Sequence, residues 1–520
     1  MRFGERREEL AIIACFTLLS LFLVAYHEPW RDEAQAWLIV RDAKGLAEIA
    51  HLMGYEGSPA LWHMILYPFV KLGFPYQTMN VVHSLLMVAA VAVFVLESPY
   101  TKTQKALFAA GYYVAYEYNA IARTYSMTAL FLMLAAAYYG RKQKTPVPYC
   151  LFLALLANTN VFGLIIAAVL AFDFAYDVFN VGGKAFRRNL VSLAVPALGF
   201  ATALYQLLPP PDIATHLKVW YFKPGSLLEA FSALDHAYMP LTWVQRDFWV
   251  SPINHHLGIV LFLASLTLFV RKPRALLLYA ATTGSLFFIF AFKNLGTLRH
   301  HGILYLLLVL CLWIAHYSRE DNRLVRLLAR KFSRMGRSVV FEYLSTRQGR
   351  QRLVTAFVAL QVIPTPVALY NEYMYDFSAA QKTAAFLVAN GFDREGVRLV
   401  SLPPSYAASS VLPYLRQEHA SVYSPEFRKT MSYIVWDRTY ETNGSIPFPE
   451  AMRRTGEDVV YADNRTTVVL LGHGRSRYGG FNTTWGVYEK IAYFGPTIVG
   501  EEAYTVYLLS RSQPWSNPLP

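Results

Sequence analysis

The sequence predicts a polytopic α-helical membrane protein with about eleven transmembrane helices, followed by a C-terminal extracytoplasmic α/β domain. Three observations support this fold class. Hydrophobic residues make up 55% of the 520 residues and charged residues only 16%, whereas a soluble protein carries about a quarter charged residues. Up to residue 370, apolar stretches alternate with short basic clusters. Beyond it, strand-like and helix-like runs follow one another.

Residues 1–370 form the predicted transmembrane domain because their apolar stretches are long enough to cross about 30 Å of hydrocarbon. The third, fourth and fifth stretches are short. The predicted spans lie at about 9–26, 78–96, 106–119, 124–140, 146–158, 161–179, 190–208, 255–270, 275–292, 301–317 and 353–370.

The basic residues indicate the orientation, because cytoplasmic loops are enriched in lysine and arginine. A cytoplasmic N-terminus places the loops 27–77 and 209–254 and the tail 371–520 on the external side. It also places a set of basic clusters on the cytoplasmic side. These clusters are Arg2, Arg6 and Arg7; Lys102 and Lys105; Arg141, Lys142 and Lys144; Lys184, Arg187 and Arg188; Arg271, Lys272 and Arg274; and the segment 318–352. They also account for the net charge of +13, so we expect no nucleic-acid partner.

The tail 371–520 has the mixed composition of a soluble domain. Strand-like runs at 397–402 and 467–471 alternate with helix-like stretches at 377–390 and 406–417, which predicts a small α/β domain. The three cysteines all fall within apolar spans, so the sequence indicates neither a disulfide framework nor a zinc site.

The first external loop opens with a carboxylate pair, Asp32 and Glu33, just past the end of the first span. A carboxylate at the outer membrane–water boundary can accept a proton from a hydroxyl group whose partner substrate is a lipid. The alternative is that the pair only caps a helix beside the positive end of its dipole. Tyr55, Glu56 and His63 follow in the same loop as further substrate-site candidates, although His63 also suits an interior polar position.

The junction between the third and fourth spans carries Arg123 and Tyr125, also on the external side. Charged groups at membrane depth are costly, so they indicate function unless a partner explains them. The planar guanidinium of Arg123 suits phosphate oxygens. The alternative is a simple ion pair between Arg123 and Glu117.

The junction between the ninth and tenth spans carries Lys293, Arg299, His300 and His301. Positive charge on the external side departs from the positive-inside rule, which favours a second cationic clamp for a phosphate. Interfacial anchors that snorkel to lipid headgroups are the alternative. The two histidines are candidate substrate or metal ligands, but no further histidine or carboxylate has clear ligand spacing.

Several motifs resemble the GT-C glycosyltransferases, which include the protein O-mannosyltransferases and the lipid A aminoarabinose transferases. A basic N-terminus, one span and the Asp32–Glu33 pair resemble the start of these enzymes. Segment 55–63 is similar to their Gly-His-Pro-Pro-Leu type motif, and segment 121–125 to their Ala-Arg-x-Tyr motif. Segment 296–301 resembles a basic turn of an uncharacterised bacterial branch. The matches run from the N-terminus to the tenth span.

The resemblance implies a GT-C-like glycosyltransferase that moves a hexosyl or pentosyl group, with inversion, from a polyprenyl-phosphate donor to an acceptor hydroxyl on the external face. This chemistry needs a base near the hydroxyl and positive charge near the departing phosphate. By motif match, Asp32 is the base, and Glu33 orients Asp32, the acceptor or a metal. The donor phosphate would be held by Arg123, Tyr125, Lys293 and Arg299.

The resemblance leaves several features of the reaction open. Some GT-C enzymes use a divalent metal such as Mg²⁺ or Mn²⁺ and others do not. Ser58 stands where the family often has histidine, so that role is lost here or has moved to His63. The acceptor can be a glycan, a lipid or a protein of the cell envelope. We expect a prokaryotic inner or plasma membrane, with a cytoplasmic N-terminus and an external C-terminal domain.

A membrane transporter or a flippase for lipid-linked glycans is the alternative function, since intramembrane charges suit it too. However, the sequence has no internal repeat of the kind that many secondary transporters show. The charges also gather at the outer face instead of running through the membrane depth. The third function class is a non-catalytic scaffold or receptor. It does not explain why Asp32, Arg123 and Arg299 lie on one side of the membrane, so the sequence favours an enzyme.

Overall fold

The protein is described by a computed structural model. The described residues are 6–181, 183–240, 256–323, 325–326, 346–443, 446–462, 465–472 and 479–511. Several sequence predictions fall partly outside them: Arg2, the loop residues 241–254, residues 324 and 327–345 of the basic segment, and the tail residues 512–520.

Apolar helices dominate the first three quarters of the chain. In chain order, the helices are α1 (Arg7–Tyr26), α2 (Arg31–Asp42), α3 (Leu46–Glu56), α4 (Leu61–Lys71), α5 (Thr78–Glu97), α6 (Lys102–Ala110), α7 (Tyr118–Ala120), α8 (Tyr125–Tyr139), α9 (Pro146–Ala157), α10 (Val161–Val181), α11 (Gly183–Ser192), α12 (Ala194–Leu207), α13 (Thr215–Lys218), α14 (Pro224–Ala230), α15 (Ser232–Tyr238), α16 (His256–Thr267), α17 (Pro273–Phe292), α18 (Leu298–Tyr317), α19 (Arg347–Leu360), α20 (Thr365–Met374), α21 (Ala380–Ala389), α22 (Arg438–Asn443) and α23 (Phe448–Thr455).

The chain is an integral membrane protein. Among the described residues, 7 helical segments are long and apolar enough to cross a membrane: Arg7–Tyr26, Thr78–Glu97, Val161–Asn180, Ala185–Leu207, Pro273–Phe292, Leu298–Tyr317 and Arg347–Met374. Shorter apolar helices cover Tyr125–Tyr139, Pro146–Ala157 and Leu257–Thr267. The count of eleven spans stays a prediction.

The third predicted span, 106–119, is an interrupted helix. It consists of α6, a π-helical turn at Tyr113–Glu117 and the single turn α7. At the interruption, the Tyr112 N–H donates a 2.7 Å hydrogen bond to the carbonyl of Gln361, which itself lies between α19 and α20. Two broken helices therefore satisfy each other's backbone groups, as an apolar environment requires.

Ion pairs join several segments of the helix bundle. At the end where α1 begins, Lys105 pairs with Glu9 at 2.5 Å. Lys142 and Arg274 each pair with Asp173 at 2.5 Å and join the α8–α9 loop, α10 and α17. The end where α1 finishes carries the helices α2, α3 and α4 and the tail. Which of the two ends is cytoplasmic stays a prediction.

The tail contains a sheet of seven strands within its described residues, in the order β3-β2-β1-β4-β7-β6-β5. The strands are β1 (Val397–Ser401), β2 (Val422–Ser424), β3 (Lys429–Met431), β4 (Thr466–Leu471), β5 (Phe481–Asn482), β6 (Val487–Phe494) and β7 (Tyr504–Ser510). The strand-like runs 397–402 and 467–471 are confirmed as the parallel neighbours β1 and β4. A C-terminal sheet region is therefore present, as the sequence predicted.

The prediction of a helix at 406–417 is wrong. It contains two short 3-10 turns, Ser405–Ser410 and Leu412–Tyr414. Pro413 has no N–H to donate to a helical hydrogen bond. The Ser409 hydroxyl donates to the carbonyl of Tyr406, and such a side-chain bond competes with the backbone hydrogen bonds of an α-helix.

The two 3-10 turns of the tail pack onto α2, and one hydrophobic core continues from the bundle into the tail. Gln35 makes the central polar contact, because its side chain bonds both the carbonyl (2.7 Å) and the N–H (3.2 Å) of Ile434. The Arg41 guanidinium donates to the carbonyl of Ala420 at 2.9 Å further along α2. The helix that carries Asp32 and Glu33 is thus held from both sides.

Candidate active site

Asp32 lies in the first turn of α2, at the end of the helix bundle. Its Oδ2 accepts a 2.9 Å hydrogen bond from Arg299 at the start of α18. Its Oδ1 lies 3.4 Å from Nε of Arg31, and its backbone carbonyl accepts a hydrogen bond from Arg123. The side chain is 24% exposed, so a substrate can reach it. The structure therefore brings together three residues that the sequence placed on one face: Asp32, Arg123 and Arg299.

These arginines keep Asp32 ionised. Burial by itself would raise the pKa of Asp32, but the positive charges of Arg299, Arg123 and Arg31 outweigh it and hold the pKa well below its usual range. The site consequently presents one carboxylate among three guanidinium groups. Guanidinium groups suit an anionic group such as a phosphate.

Glu33 is fully buried, and protein groups occupy both of its carboxylate oxygens. Its Oε2 accepts from the backbone N–H of Trp30 at 3.1 Å, which is the capping alternative drawn from the sequence. Its Oε1 accepts from the N–H of Ala122 at 2.5 Å, directly before Arg123. Glu33 therefore fixes the start of α2 against the segment that carries Arg123, and we assign it a positioning role.

A buried network behind Glu33 was missed by sequence reasoning. His27 bridges Glu33 (3.1 Å) and Glu372 of α20 (2.7 Å), and Tyr116 donates to the same glutamate at 2.6 Å. Burial would lower the pKa of His27, but the two carboxylates raise it well above its usual value. The only local signal was a histidine directly after the first span. Its partner Glu372 lies 345 positions away.

Glu56 and His63 lie beside Arg123. The Gln35 amide donates to Glu56 at 2.8 Å, and burial raises the pKa of Glu56 although Arg123 opposes that shift. Burial, with a smaller effect of Arg123, lowers the pKa of His63 to about 3. His63 is thus neutral, and within the described chain its Nδ1 has no hydrogen-bond partner. Both predicted candidates belong to the surroundings of Asp32.

Tyr125 and His300 lie on the Arg299 side of the site. Their rings contact edge to face with centroids 6.0 Å apart, and Tyr125 also stacks on Tyr118 at 5.0 Å. The Nδ1 atom of His300 accepts from the N–H of Thr297 at 2.9 Å and closes the first turn of α18. This capping bond fixes the turn that presents Arg299 to Asp32.

Three predicted site residues have other partners. Lys293 donates to the carbonyl of Leu217 at 2.5 Å, Tyr55 donates to Asp212 at 2.7 Å, and His301 contacts His236 at 2.9 Å between their Nδ1 atoms. These contacts tie down the segment 212–236, so the structure does not bring these three side chains to Asp32.

The alternative pair of Arg123 and Glu117 is not the contact that the structure records. Glu117 accepts from the hydroxyl of Tyr112 at 2.8 Å, and Arg123 binds the carbonyl of Asp32 instead.

The possible divalent metal drawn from the sequence stays a prediction. Among the described residues, no group of three or more histidine, cysteine, aspartate or glutamate side chains could hold a metal ion. At the site itself, Asp32 is already paired with Arg299. We therefore route no step of the reaction through Mg²⁺ or Mn²⁺.

Glu28, next to His27, should make stability depend on pH. Burial and the nearby Asp376 raise its pKa from 4.5 to about 7, although it accepts from the N–H of Phe377 at 2.8 Å. The folded protein therefore holds this proton more tightly than the unfolded chain, so stability falls as pH rises from about 4.5 to about 7. Glu28→Gln should remove this part of the slope. Apparent unfolding midpoints in detergent at several pH values test this, and equal slopes in both proteins would contradict it.

The comparison with solved structures shows the fold of the chain. No protein-family model matches the sequence, and no curated protein matches it. Among solved structures, ArnT from Cupriavidus metallidurans bound to undecaprenyl phosphate matches with a TM-score of 0.51 and 10% identity, covering 98% of each chain. The apo state of the same protein has a TM-score of 0.47 and 10% identity, covering 96% of this chain and 97% of that chain. The chain therefore has the fold of ArnT, a GT-C glycosyltransferase, and the resemblance drawn from the sequence is confirmed at the level of the fold.

Proposed function

We propose that the chain is a membrane glycosyltransferase that moves a sugar from a polyprenyl-phosphate-linked donor to an acceptor hydroxyl, with inversion. One observation carries the proposal: the ionised carboxylate of Asp32 lies between Arg299 and Arg123 at one end of a membrane-spanning bundle. This arrangement offers a proton acceptor and a phosphate-binding charge side by side. The likeness to an ArnT bound to undecaprenyl phosphate supports this choice of donor.

In the proposed reaction, the acceptor oxygen attacks the anomeric carbon from the face opposite the lipid phosphate. The new C–O bond forms, the bond to the phosphate oxygen breaks, and the hydroxyl proton passes to the carboxylate of Asp32. A strongly ion-paired carboxylate is a weak base towards an ordinary alcohol. It is sufficient here, because the attacking oxygen becomes strongly acidic as its bond to the sugar forms.

The arginines stabilise the leaving group. The bond to the phosphate breaks heterolytically, so negative charge grows on the phosphate oxygens in the transition state. Arg299 is held by Asp32 and by the face of Trp30, whose ring centroid lies 5.1 Å from its Cζ. Arg123 is fixed through Asp32 and Glu33. Fixed guanidinium groups need little reorganisation as the charge develops, and their planar forks match phosphate oxygens.

The remaining parts of the proposal concern location and partners. We place the site on the external face of a prokaryotic inner or plasma membrane, with the N-terminus cytoplasmic and the tail external, as the positive-inside rule predicts. A lipid-anchored donor would enter from the bilayer. Lys293 and Tyr125 stay proposed contacts of the donor. A transporter or flippase is not favoured, because the fold matches that of an ArnT over 98% of the chain.

Arg123→Ala should weaken donor binding by about tenfold or more, because it removes a fixed charge-assisted contact to phosphate worth about 1.5–3 kcal/mol. Purified protein in lipid nanodiscs would be titrated with a panel of labelled polyprenyl-phosphate sugars. Arg123→Lys is the matched control, since it keeps the charge and loses the planar fork, and it should fall between wild type and Arg123→Ala. Wild-type protein that binds and consumes no donor in the panel would overturn the proposed function.

A further inference from the structure

Four aromatic side chains of the tail form a continuous surface that begins beside the proposed catalytic base. We call this surface the aromatic platform, and its members are Tyr406, Phe427, Trp436 and Tyr440. Ring centroids are 6.2 Å apart for Tyr406 and Trp436, 4.7 Å for Trp436 and Tyr440, and 6.3 Å for Phe427 and Tyr440. Each of the four side chains keeps part of its surface exposed.

Arg31 joins the aromatic platform to Asp32. Its guanidinium lies over the ring of Tyr406, with Cζ 4.9 Å from the centroid, and its Nε lies 3.4 Å from Oδ1 of Asp32. It also donates to Glu501 at 2.9 Å, and the carboxylate of Glu501 is 48% exposed. The inner edge of the platform therefore combines an aromatic face with charged donors and acceptors next to the reacting centre.

The outer edge of the platform opens into a pocket of about 290 Å³. Phe427 belongs to both, since it lines the pocket and stacks on Tyr440. The other lining residues include hydroxyl groups and charges of both signs, among them Thr430, Ser432 and Lys429. Platform and pocket share Phe427, and together they extend from the proposed base to Asp42 at the C-terminal end of α2.

The platform is held in place through the backbone. The carbonyl of Trp436 accepts from the N–H of Ala214 at 2.9 Å, and the N–H of Arg438 donates to the carbonyl of Asp212 at 2.7 Å. Gln35 fixes Ile434, two residues before Trp436, and also bonds Glu56 of the site. Partly exposed rings fixed beside a reacting centre suit ligand binding, because they lose little conformational entropy when a ligand binds.

We propose that the aromatic platform binds the acceptor and that the acceptor is a saccharide. The proposal rests on the proposed function, since it concerns the hydroxyl that Asp32 would deprotonate. A sugar ring has an apolar face of C–H groups and a rim of hydroxyls. Partly exposed aromatic rings can pack against the apolar face of the sugar. The fixed polar groups at the platform edge can form hydrogen bonds with its hydroxyls. Trp436 provides the central stacking surface, and Arg31 and Glu501 orient the sugar whose hydroxyl faces Asp32.

The test uses the full-length protein in lipid nanodiscs on an array of bacterial cell-envelope oligosaccharides. Wild type should retain at least one saccharide, and Trp436→Ala should weaken its binding by about tenfold, as expected for the loss of one stacked aromatic ring. Trp436→Phe should restore most of the affinity. Tyr461→Ala, which removes another exposed aromatic side chain of the tail, is the matched control and should bind like wild type.

Donor binding measured on the same samples separates the two proposals. Weakened saccharide binding by Trp436→Ala with unchanged donor affinity supports the platform. The same saccharide affinity in Trp436→Ala and wild type overturns it, as does a wild type that retains only lipids or peptides. An equal loss of donor and saccharide binding also overturns it, because the change then reports disturbed folding. Saccharide binding without any donor binding leaves the platform standing and overturns the proposed function.

Discussion

Asp32→Asn should lower the rate of sugar transfer by about 10²- to 10⁴-fold, the contribution typical of a positioned general base. Asparagine has nearly the same shape as aspartate, and its carbonyl oxygen can still accept the 2.9 Å bond from Arg299. It cannot take the proton of the acceptor hydroxyl. Donor binding should be kept or strengthened, because the variant no longer neutralises the arginines. Single-turnover consumption of a labelled polyprenyl-phosphate sugar in nanodiscs measures the rate.

A surface aspartate of the other bundle end provides the control for this experiment. Asp321 is 43% exposed and lies 3.8 Å from Arg323, so Asp321→Asn should turn over donor like wild type. Near-normal transfer by a folded Asp32→Asn protein with unchanged donor affinity would remove Asp32 from the role of base. Glu56, whose pKa burial raises, would then be the next carboxylate to test.

Glu33→Gln should destabilise the fold by about 3–5 kcal/mol, the cost typical of removing one partner of a buried charged network. The two oxygens of Glu33 accept from the N–H groups of Ala122 and Trp30 and face His27. A glutamine has only one oxygen, so its NH₂ group must face one of these donors. The change leaves a buried N–H without an acceptor and the charge of His27 less well compensated. Thermal unfolding in detergent should show a clearly lower apparent midpoint.

Glu8→Gln is the matched control for Glu33→Gln, because it makes the same chemical change at an exposed ion pair. Glu8 is 67% exposed and pairs with Lys102 at 3.0 Å, and such surface pairs contribute about 0–1 kcal/mol. Its unfolding midpoint should stay close to that of wild type. Equal midpoints for the two variants would show that Glu33 does not hold α2 in place.

Local patterns along the chain predicted a large part of this protein. Runs of apolar residues need no partner to be recognised, so the long spans and the strands β1 and β4 could be located from hydropathy and alternation alone. The order of the motifs also predicted a fold that the likeness to ArnT supports at only 10% identity. Asp32, Arg123 and Arg299 were placed on one face because charge at an external junction is costly and conspicuous.

Tertiary structure alone decided what each charge does. Asp32 and Arg299 lie 267 positions apart, and Glu33 and Ala122 lie 89 positions apart, so no local pattern could show that Arg299 pairs with Asp32 or that Glu33 binds the N–H of Ala122. The same holds for Lys293, which the sequence grouped with Arg299 and whose side chain donates to the carbonyl of Leu217. Hydropathy is a property of neighbouring residues, and the sequence by itself therefore determined the long spans. Ion pairs and hydrogen bonds depend on atoms brought together by packing, and only the folded chain could assign them.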